Sequence, residues 1–348
     1  MSLTALILAA GLCGGPAPFY ADKLDLSIYE DAAGAHAIKS PQDWRIRRDH
    51  LIENMQLVMG YLPPDRAKVP LDIQIESEAD TPKYVLKKLS YAVEAGDRVP
   101  AYLLLPKDIT GKVPAMLCLH QTNKFGKGEP AGVDGLANLH YAKELAERGY
   151  VCLAPDYPRF GEYQIDVYRM GYASASMKGI WNHMRGVDLL QSLPEVDGDR
   201  IGCIGHSLGG HNTLFVSVFD ERIKVAVTSC GFTRFAKYYS GDLTGWTHRG
   251  YMPRIDAVYG KDPARMPFDF PDILASLAPR YVFINAPTRD ANFDVTGVQE
   301  SVDAAKRIFA LYKAADHVVA VHPDCEHDFP EDVREQAYRF IDGALKSR

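Results

Sequence analysis

The pentapeptide Gly205-His206-Ser207-Leu208-Gly209 directly follows an apolar, strand-like run, Ile201-Gly202-Cys203-Ile204, and this context makes it the most chemically telling stretch of the chain. A serine on a sharp turn between a strand and a helix has its hydroxyl lifted clear of the sheet edge, and glycines two before and two after it let the backbone turn without a Cβ clash. Ser207 is therefore a candidate nucleophile. The backbone N–H of Leu208, at the start of the expected helix, is a candidate oxyanion donor, because the first N–H groups of a helix have no internal acceptor. His206 and His211 read as residues that pack around this turn.

A serine is a weak nucleophile until a base takes its proton, and on such a turn the acid follows the serine along the chain and the histidine comes last. The strand-like run Arg280–Asn285 leads into a loop with two acids, Asp290 and Asp294. Asp290 is the first choice because it comes earlier after the strand end, where ligand-facing loops begin; Asp294 is the alternative. His327, in the loop after His317–His322, is the candidate base: neutral imidazole accepts the serine proton and later returns it, while a carboxylate holds the ring in the right tautomer. His322, Asp324, His327 and Asp328 also resemble metal ligands. They lack a fixed helical spacing such as H-E-x-x-H, so no metal is expected. The run Leu119-His120-Gln121-Thr122-Asn123 ends another strand. The Thr122 N–H is the expected second oxyanion donor, with Gln121 next, and Gln121 also stands as a substrate-facing candidate.

The elements that must position these groups follow from periodicity. Ser40-Pro41-Gln42-Asp43 reads as a helix N-cap with proline at the first position, and Trp44, Leu51, Met55 and Val58 give the helix one apolar face before Pro63-Pro64. From Val69 the period changes to two. Leu71–Glu76 alternates as a half-buried strand, and Tyr84–Val93 and Val99–Leu105 follow as further antiparallel strands. Continuous apolar runs then alternate with helical patterns at Ala115–Leu119, Tyr150–Ala154, Ile201–Ile204, Val225–Thr228, Tyr281–Ile284 and Val318–Val321, which predicts a mostly parallel sheet covered on both faces. Two segments exceed ordinary connections. Pro158–Ser176 precedes a helix carrying Trp181, and Gly231–Pro271 is rich in aromatics; Trp181 and Trp246 are the expected substrate contacts from these regions.

With 348 residues, a formal charge of −6 and 24% charged residues, the chain fits a soluble globular protein, and no cluster of basic residues interleaved with aromatics points to nucleic acid. Its six cysteines show no C-x-x-C spacing and read as buried reduced thiols. Residues 1–21 include a short apolar run, Ala5–Leu12, of signal-peptide length and far too short to span a bilayer; the expectation leans towards export, with a cytoplasmic location as the alternative. The expected organisation is a possible signal segment at 1–21, an N-terminal helix-and-strand extension at 22–98, and a catalytic core at 99–348 with an insertion at 231–271. No stable membrane insertion and no cofactor are expected, and no feature of the chain names an oligomeric state.

From about Val99 onward the chain resembles the α/β-hydrolase superfamily, in particular its dienelactone-hydrolase and acetyl-xylan-esterase-like branch with prolyl-oligopeptidase-type relatives. The resemblance rests on Leu119-His120-Gln121, Glu147-Arg148-Gly149-Tyr150, Ala154-Pro155-Asp156-Tyr157, Asp199-Arg200-Ile201-Gly202 before the Gly205–Gly210 turn, and Cys325-Glu326-His327-Asp328-Phe329. It implies an α/β-hydrolase fold with Ser207, Asp290 and His327 as a triad. It also implies a serine carboxylic-ester hydrolase acting through an acyl-enzyme on small acyl esters, such as acetyl groups on carbohydrates. Two departures narrow this. Dienelactone hydrolases use a cysteine where Ser207 stands, and glucuronoyl esterases carry an arginine where Leu208 stands. A prolyl-oligopeptidase-type peptidase and a non-catalytic binding protein of the same fold are the alternatives. The chain is short for the propeller of the first, and the candidate triad is complete, against the second.

Overall fold

A computed structural model describes residues 17–62 and 69–346. The apolar run before Cys13 and the helix stop at Pro63-Pro64 lie outside these residues, and so does most of the possible signal segment. A small hairpin of β1 (Ile28–Asp31) and β2 (Gly34–Ala37) precedes helix α1 (Pro41–Met59). The Ser40 hydroxyl accepts the Asp43 N–H, as a helix cap does, and Trp44, Leu51, Met55 and Val58 are buried along one face. Arg47 is buried on that face too, and its guanidinium donates to the carbonyls of Asp25 and Ile28 and to the Asp272 carboxylate at 3.2 Å.

The body is a sheet of nine strands among the described residues: β3 (Gln74–Asp80), β4 (Tyr84–Glu94), β5 (Asp97–Pro106), β6 (Val113–Leu119), β7 (Val151–Pro155), β8 (Val196–His206), β9 (Ile223–Ser229), β10 (Tyr281–Asn285) and β11 (Val318–Val321). Their spatial order is β11-β10-β9-β8-β6-β7-β5-β4-β3. Pairing is parallel from β11 across to β7 and antiparallel from β7 to β3. The remaining helices are α2 (Tyr141–Ala146), α3 (Ala175–Ser192), α4 (Leu208–Phe219), α5 (Arg254–Ala257), α6 (Phe270–Ser276), α7 (Val295–Leu311) and α8 (Glu331–Leu345). Alternate residues of a single strand feed opposite layers. Met116 and Cys118 of β6 pack with α2 and α8, while Ala115, Leu117 and Leu119 pack with α3. Burial on both faces is why these strands read as continuous apolar runs.

The stretch Leu71–Glu76 departs from the half-buried strand its alternation predicts. Regular pairing starts only at Gln74, and every residue of β3 is exposed, Ile75 included. This strand ends the sheet and pairs with β4 alone, supported by ion pairs of Lys87 with Glu78 (3.0 Å) and Lys88 with Glu76 (3.1 Å). Its alternation therefore expresses strand pairing and a charged edge rather than burial. The long connection after β9 is ordered by aromatic packing: Phe232, Phe235, Trp246, Phe268 and Phe270 are buried in one cluster with α1, α4 and α6 residues.

Candidate active site

β8 ends and α4 begins at Ser207, whose backbone has φ 52° and ψ −115°. That region is rarely occupied by a residue with a side chain and costs about 1–3 kcal/mol, which the surroundings must hold. The Ser207 N–H is tied to the Ser229 carbonyl at 2.8 Å, and its own carbonyl accepts the His211 N–H at 3.2 Å. The flanking glycines serve here by their lack of bulk. A Cβ on Gly205 would sit 2.3 Å from the Gly209 backbone, and one on Gly209 would sit 1.9 Å from the Leu119 carbonyl oxygen. Only glycine allows α4 to start this close to β6.

His327 Nδ1 and the Asp290 carboxylate are 2.8 Å apart, and the Asp290 side chain is 1% exposed. Asp290 also accepts the N–H groups of Asn292 (2.8 Å) and Phe293 (3.2 Å), which hold it in place. An ionised carboxylate on Nδ1 favours the tautomer that leaves Nε2 free to accept a proton. Asp294 has a different task. It caps α7, accepting the Thr296 N–H at 2.7 Å. His206 stacks edge-on against His327, with ring centroids 4.9 Å apart. Burial, and secondarily the neighbouring His327, hold His206 well below the usual histidine range, so it stays neutral. It bonds the Ser229 hydroxyl at 2.9 Å. Asn285 donates to that same hydroxyl at 2.9 Å and to the Asp328 carbonyl at 2.8 Å. The loop carrying His327 is thereby fastened to the ends of β8, β9 and β10.

A cavity of about 290 Å³ opens over Ser207 and His327. One wall is the loop after β6. There His120 Nδ1 lies 2.6 Å from the Gln121 carbonyl and its Nε2 accepts the Tyr157 N–H at 2.9 Å, an arrangement that needs the neutral Nδ1–H tautomer. Glu129, also buried, accepts from the Gln121 side-chain amide, from Asn123 and from the Leu136 N–H. Beneath it, Asp156 receives the Lys127 N–H and ammonium, each at 2.8 Å, and the Glu162 N–H at 2.9 Å. Tyr238, Trp246 and Tyr251 of the long insertion form the opposite wall, joined by Phe293 and Asn292.

Ser207, Leu208, His327, Gln121, Thr122 and Trp246 thus line one cavity, and Asp290 lies behind His327. The Thr122 hydroxyl also shares a 2.8 Å hydrogen bond with the Tyr251 hydroxyl, which bridges the two walls. Trp181 does not belong here. It is buried between α3 and the β4–β5 strands, and its indole N–H donates to the Val93 carbonyl at 2.9 Å; packing, not substrate, claims it. His211, read as packing, is buried but faces the cavity as well. The four residues that resembled metal ligands part company: His322 bonds Ala286 and Gln299, Asp324 pairs with Arg289, and Asp328 bonds Asn138. A different trio, Cys230, Asp290 and His327, has ligand-type atoms within 4.8 Å of one another. Cys230, with φ 48°, follows the end of β9, and its thiol points to the Asp328 carbonyl at 3.3 Å. Tyr238, Tyr251 and Phe293 carry no spacing that would have singled them out from other aromatics.

The profile of the prolyl oligopeptidase family matches residues 138–346, more than half of the chain. The chain belongs to the prolyl oligopeptidase family. This member of the family has the α/β-hydrolase fold and is a serine hydrolase. It is 26% identical over 298 residues to YtaP of Bacillus subtilis (strain 168), a protein named as a hydrolase, across 82% of this chain and 95% of YtaP. Among solved structures it resembles a glucuronoyl esterase from Solibacter usitatus, with a TM-score of 0.71, 16% identity, and 90% of this chain and 96% of that one covered. It also resembles acetyl xylan esterase 1 from Thermoanaerobacterium sp. JW/SL YS485, with a TM-score of 0.55, 19% identity, and 84% and 92% covered. At these identities the two likenesses concern the fold.

Proposed function

We propose that this family member is a carboxylic-ester hydrolase working through an acyl-enzyme, with Ser207 as nucleophile, His327 as base and Asp290 as the acid that orients it. The observation that supports this reading most directly is the Asp290–His327 hydrogen bond behind a cavity that also holds Ser207. His327 Nε2 takes the Ser207 proton as Oγ bonds to the ester carbonyl carbon, and the resulting oxyanion lies against the Leu208 N–H and that of Thr122 or its neighbour Gln121. Collapse breaks the bond to the leaving alcohol, which receives the proton from Nε2; water then repeats the sequence on the acyl-serine. A small acyl group on a carbohydrate or related alcohol is the proposed substrate class, in keeping with the names of the acetyl xylan and glucuronoyl esterases of similar fold.

A peptidase reading draws on the family name and on a 28% identity over 106 residues to dipeptidyl-peptidase 5 of Porphyromonas gingivalis, 15% of that protein. Against it, the cavity lining among the described residues includes no aspartate or glutamate to pair with the free amine of a peptide. The test is p-nitrophenyl acetate beside dipeptidyl p-nitroanilides. The ester is expected to be hydrolysed with a detectable acetyl-enzyme, and Ser207→Ala to lower kcat by roughly 10³-fold or more with the fold retained. Turnover of the anilides alone, or an active Ser207→Ala variant, would overturn the ester reading.

A further inference from the structure

Beyond the reacting groups, two buried polar side chains in the cavity wall have hydrogen-bonding atoms without partners. His211 is 4% exposed and its ring nitrogens make no hydrogen bond of good geometry, with the Gly231 backbone as the polar group that bears on the ring; the Trp246 indole N–H, on a residue 3% exposed, has no partner. Their rings lie 4.8 Å apart, and both residues line the cavity. Buried polar atoms are nearly always paired, and an unpaired set at a cavity wall is completed by what enters the cavity.

The chemistry of the missing partner can be narrowed. Neutral imidazole offers one donor and one acceptor, and indole offers a donor only. Burial holds His211 down to about 3, so the ring carries no charge at neutral pH. Among the described residues no Asp, Glu, Lys or Arg lines the cavity. A carboxylate or ammonium would lose its water there without a counter-charge. A hydroxyl, by contrast, can accept from the indole N–H and donate to the imidazole acceptor at once. Its place is bounded too. His211 follows Ser207 by four residues and bonds its carbonyl at 3.2 Å, so it stands one helical turn above the nucleophile. Both side chains line the same cavity, which places a bound hydroxyl close to the reacting carbonyl.

We infer that His211 and Trp246 form a subsite that recognises a neutral hydroxyl on the substrate, next to the scissile ester. The inference rests on the ester-hydrolase reading above. The hydroxyl can belong to the acyl group or to the alcohol, and two substrate pairs separate these sources: methyl glycolate against methyl acetate, and glycerol monoacetate against propyl acetate. Within the pair whose hydroxyl is recognised, His211→Phe, which keeps a ring but removes both nitrogens, is expected to lower the kcat/KM ratio of hydroxylated over plain ester roughly 10-fold. His211→Gln, which restores a donor and an acceptor, is expected to recover part of the ratio. His211→Phe is also expected to melt no lower than the wild type, since it removes unmet buried polar atoms. Ratios unchanged by His211→Phe in both pairs would overturn the subsite. Calorimetric titration of Ser207→Ala with glycerol monoacetate and methyl glycolate, each beside its plain partner, separates this outcome from failure of the ester reading. Hydroxyl-dependent binding that vanishes on adding His211→Phe supports the subsite even if no ester is turned over, and equal binding within both pairs overturns it.

Discussion

The two walls of the cavity are built by opposite means. The loop after β6 is held by buried charge and hydrogen bonds, with Glu129, Asp156, Lys127 and His120 tying backbone atoms of three segments together. The insertion wall is held by rings: Trp246 lies within 6.3 Å, centroid to centroid, of His211, Phe235, Tyr238, Tyr251, Phe270 and Phe293. The difference matches what each wall would have to do. An oxyanion donor must be aimed to within a fraction of an ångström, and hydrogen bonds to fixed partners set direction in a way that ring packing does not. Aromatic packing sets the shape of a surface and leaves polar edges available.

The largest expected effect falls on the machinery between the walls. Asp290→Asn, by turning His327 into the wrong tautomer, is expected to lower kcat by about 10⁴-fold, the magnitude seen when a serine-protease triad loses its carboxylate. Asp294→Asn keeps a capping side chain on α7 and is expected to stay within a few-fold of the wild type. Steady-state rates on p-nitrophenyl acetate check both, and the reverse order would assign the acid to Asp294. Next comes the charged wall. Lys127→Met leaves the Asp156 carboxylate buried without its cation, since the pair is 4% and 0% exposed. Breaking such a pair costs about 3–5 kcal/mol, measurable as a lower urea midpoint. A loss under 1 kcal/mol would mean that this wall, like the other, stands on packing.

The smallest expected effect tests the aromatic wall through pH. The folded-state value of His211, about 3, lies below the 6.5 of an exposed histidine. The unfolded chain therefore binds the proton first as pH falls. Stability tied to the neutral ring is complete above 6.5 and is lost progressively as pH falls towards 3. His211→Phe has no such group. Relative to the wild type it is expected to gain about 2 kcal/mol between pH 7 and pH 5, from 1.5 pH units at about 1.4 kcal/mol each. Parallel stability curves for the two proteins over that range would show that the ring takes up its proton in the fold at an ordinary pH.

Much of this arrangement was legible in the chain, and the misses have physical causes. The central strands announced themselves because burial on both faces removes polar residues, as in Ala115–Leu119 and Val225–Thr228. The turn at Ser207 was legible because close approach to β6 demands glycine at Gly209. Asp290 was separable from Asp294 by order alone, and the two structural roles, one against His327 and one capping α7, are distinct. Trp181 was misplaced because a periodic pattern shows that a helix has a buried face without showing which neighbour covers it. The charged wall was invisible. Lys127, in a short 3₁₀ turn, and Asp156, directly after β7, sit 29 residues apart, and no period relates them. His211 was half legible: its place on α4 could be counted, but its burial against Trp246 depends on an insertion that folds over it from further along the chain.

Arg47 gives the molecule a timetable. Its guanidinium closes on Asp272, 225 residues further along the chain. At a synthesis rate of about 5–20 residues per second, α1 waits roughly 10–45 seconds after it is made before that carboxylate has been added. During the interval the face that carries Trp44, Met55 and a buried-to-be cation has no acid to neutralise it and no α6 to cover it. The contact between α1 and α6 thus waits for a segment that is made long after the helix itself.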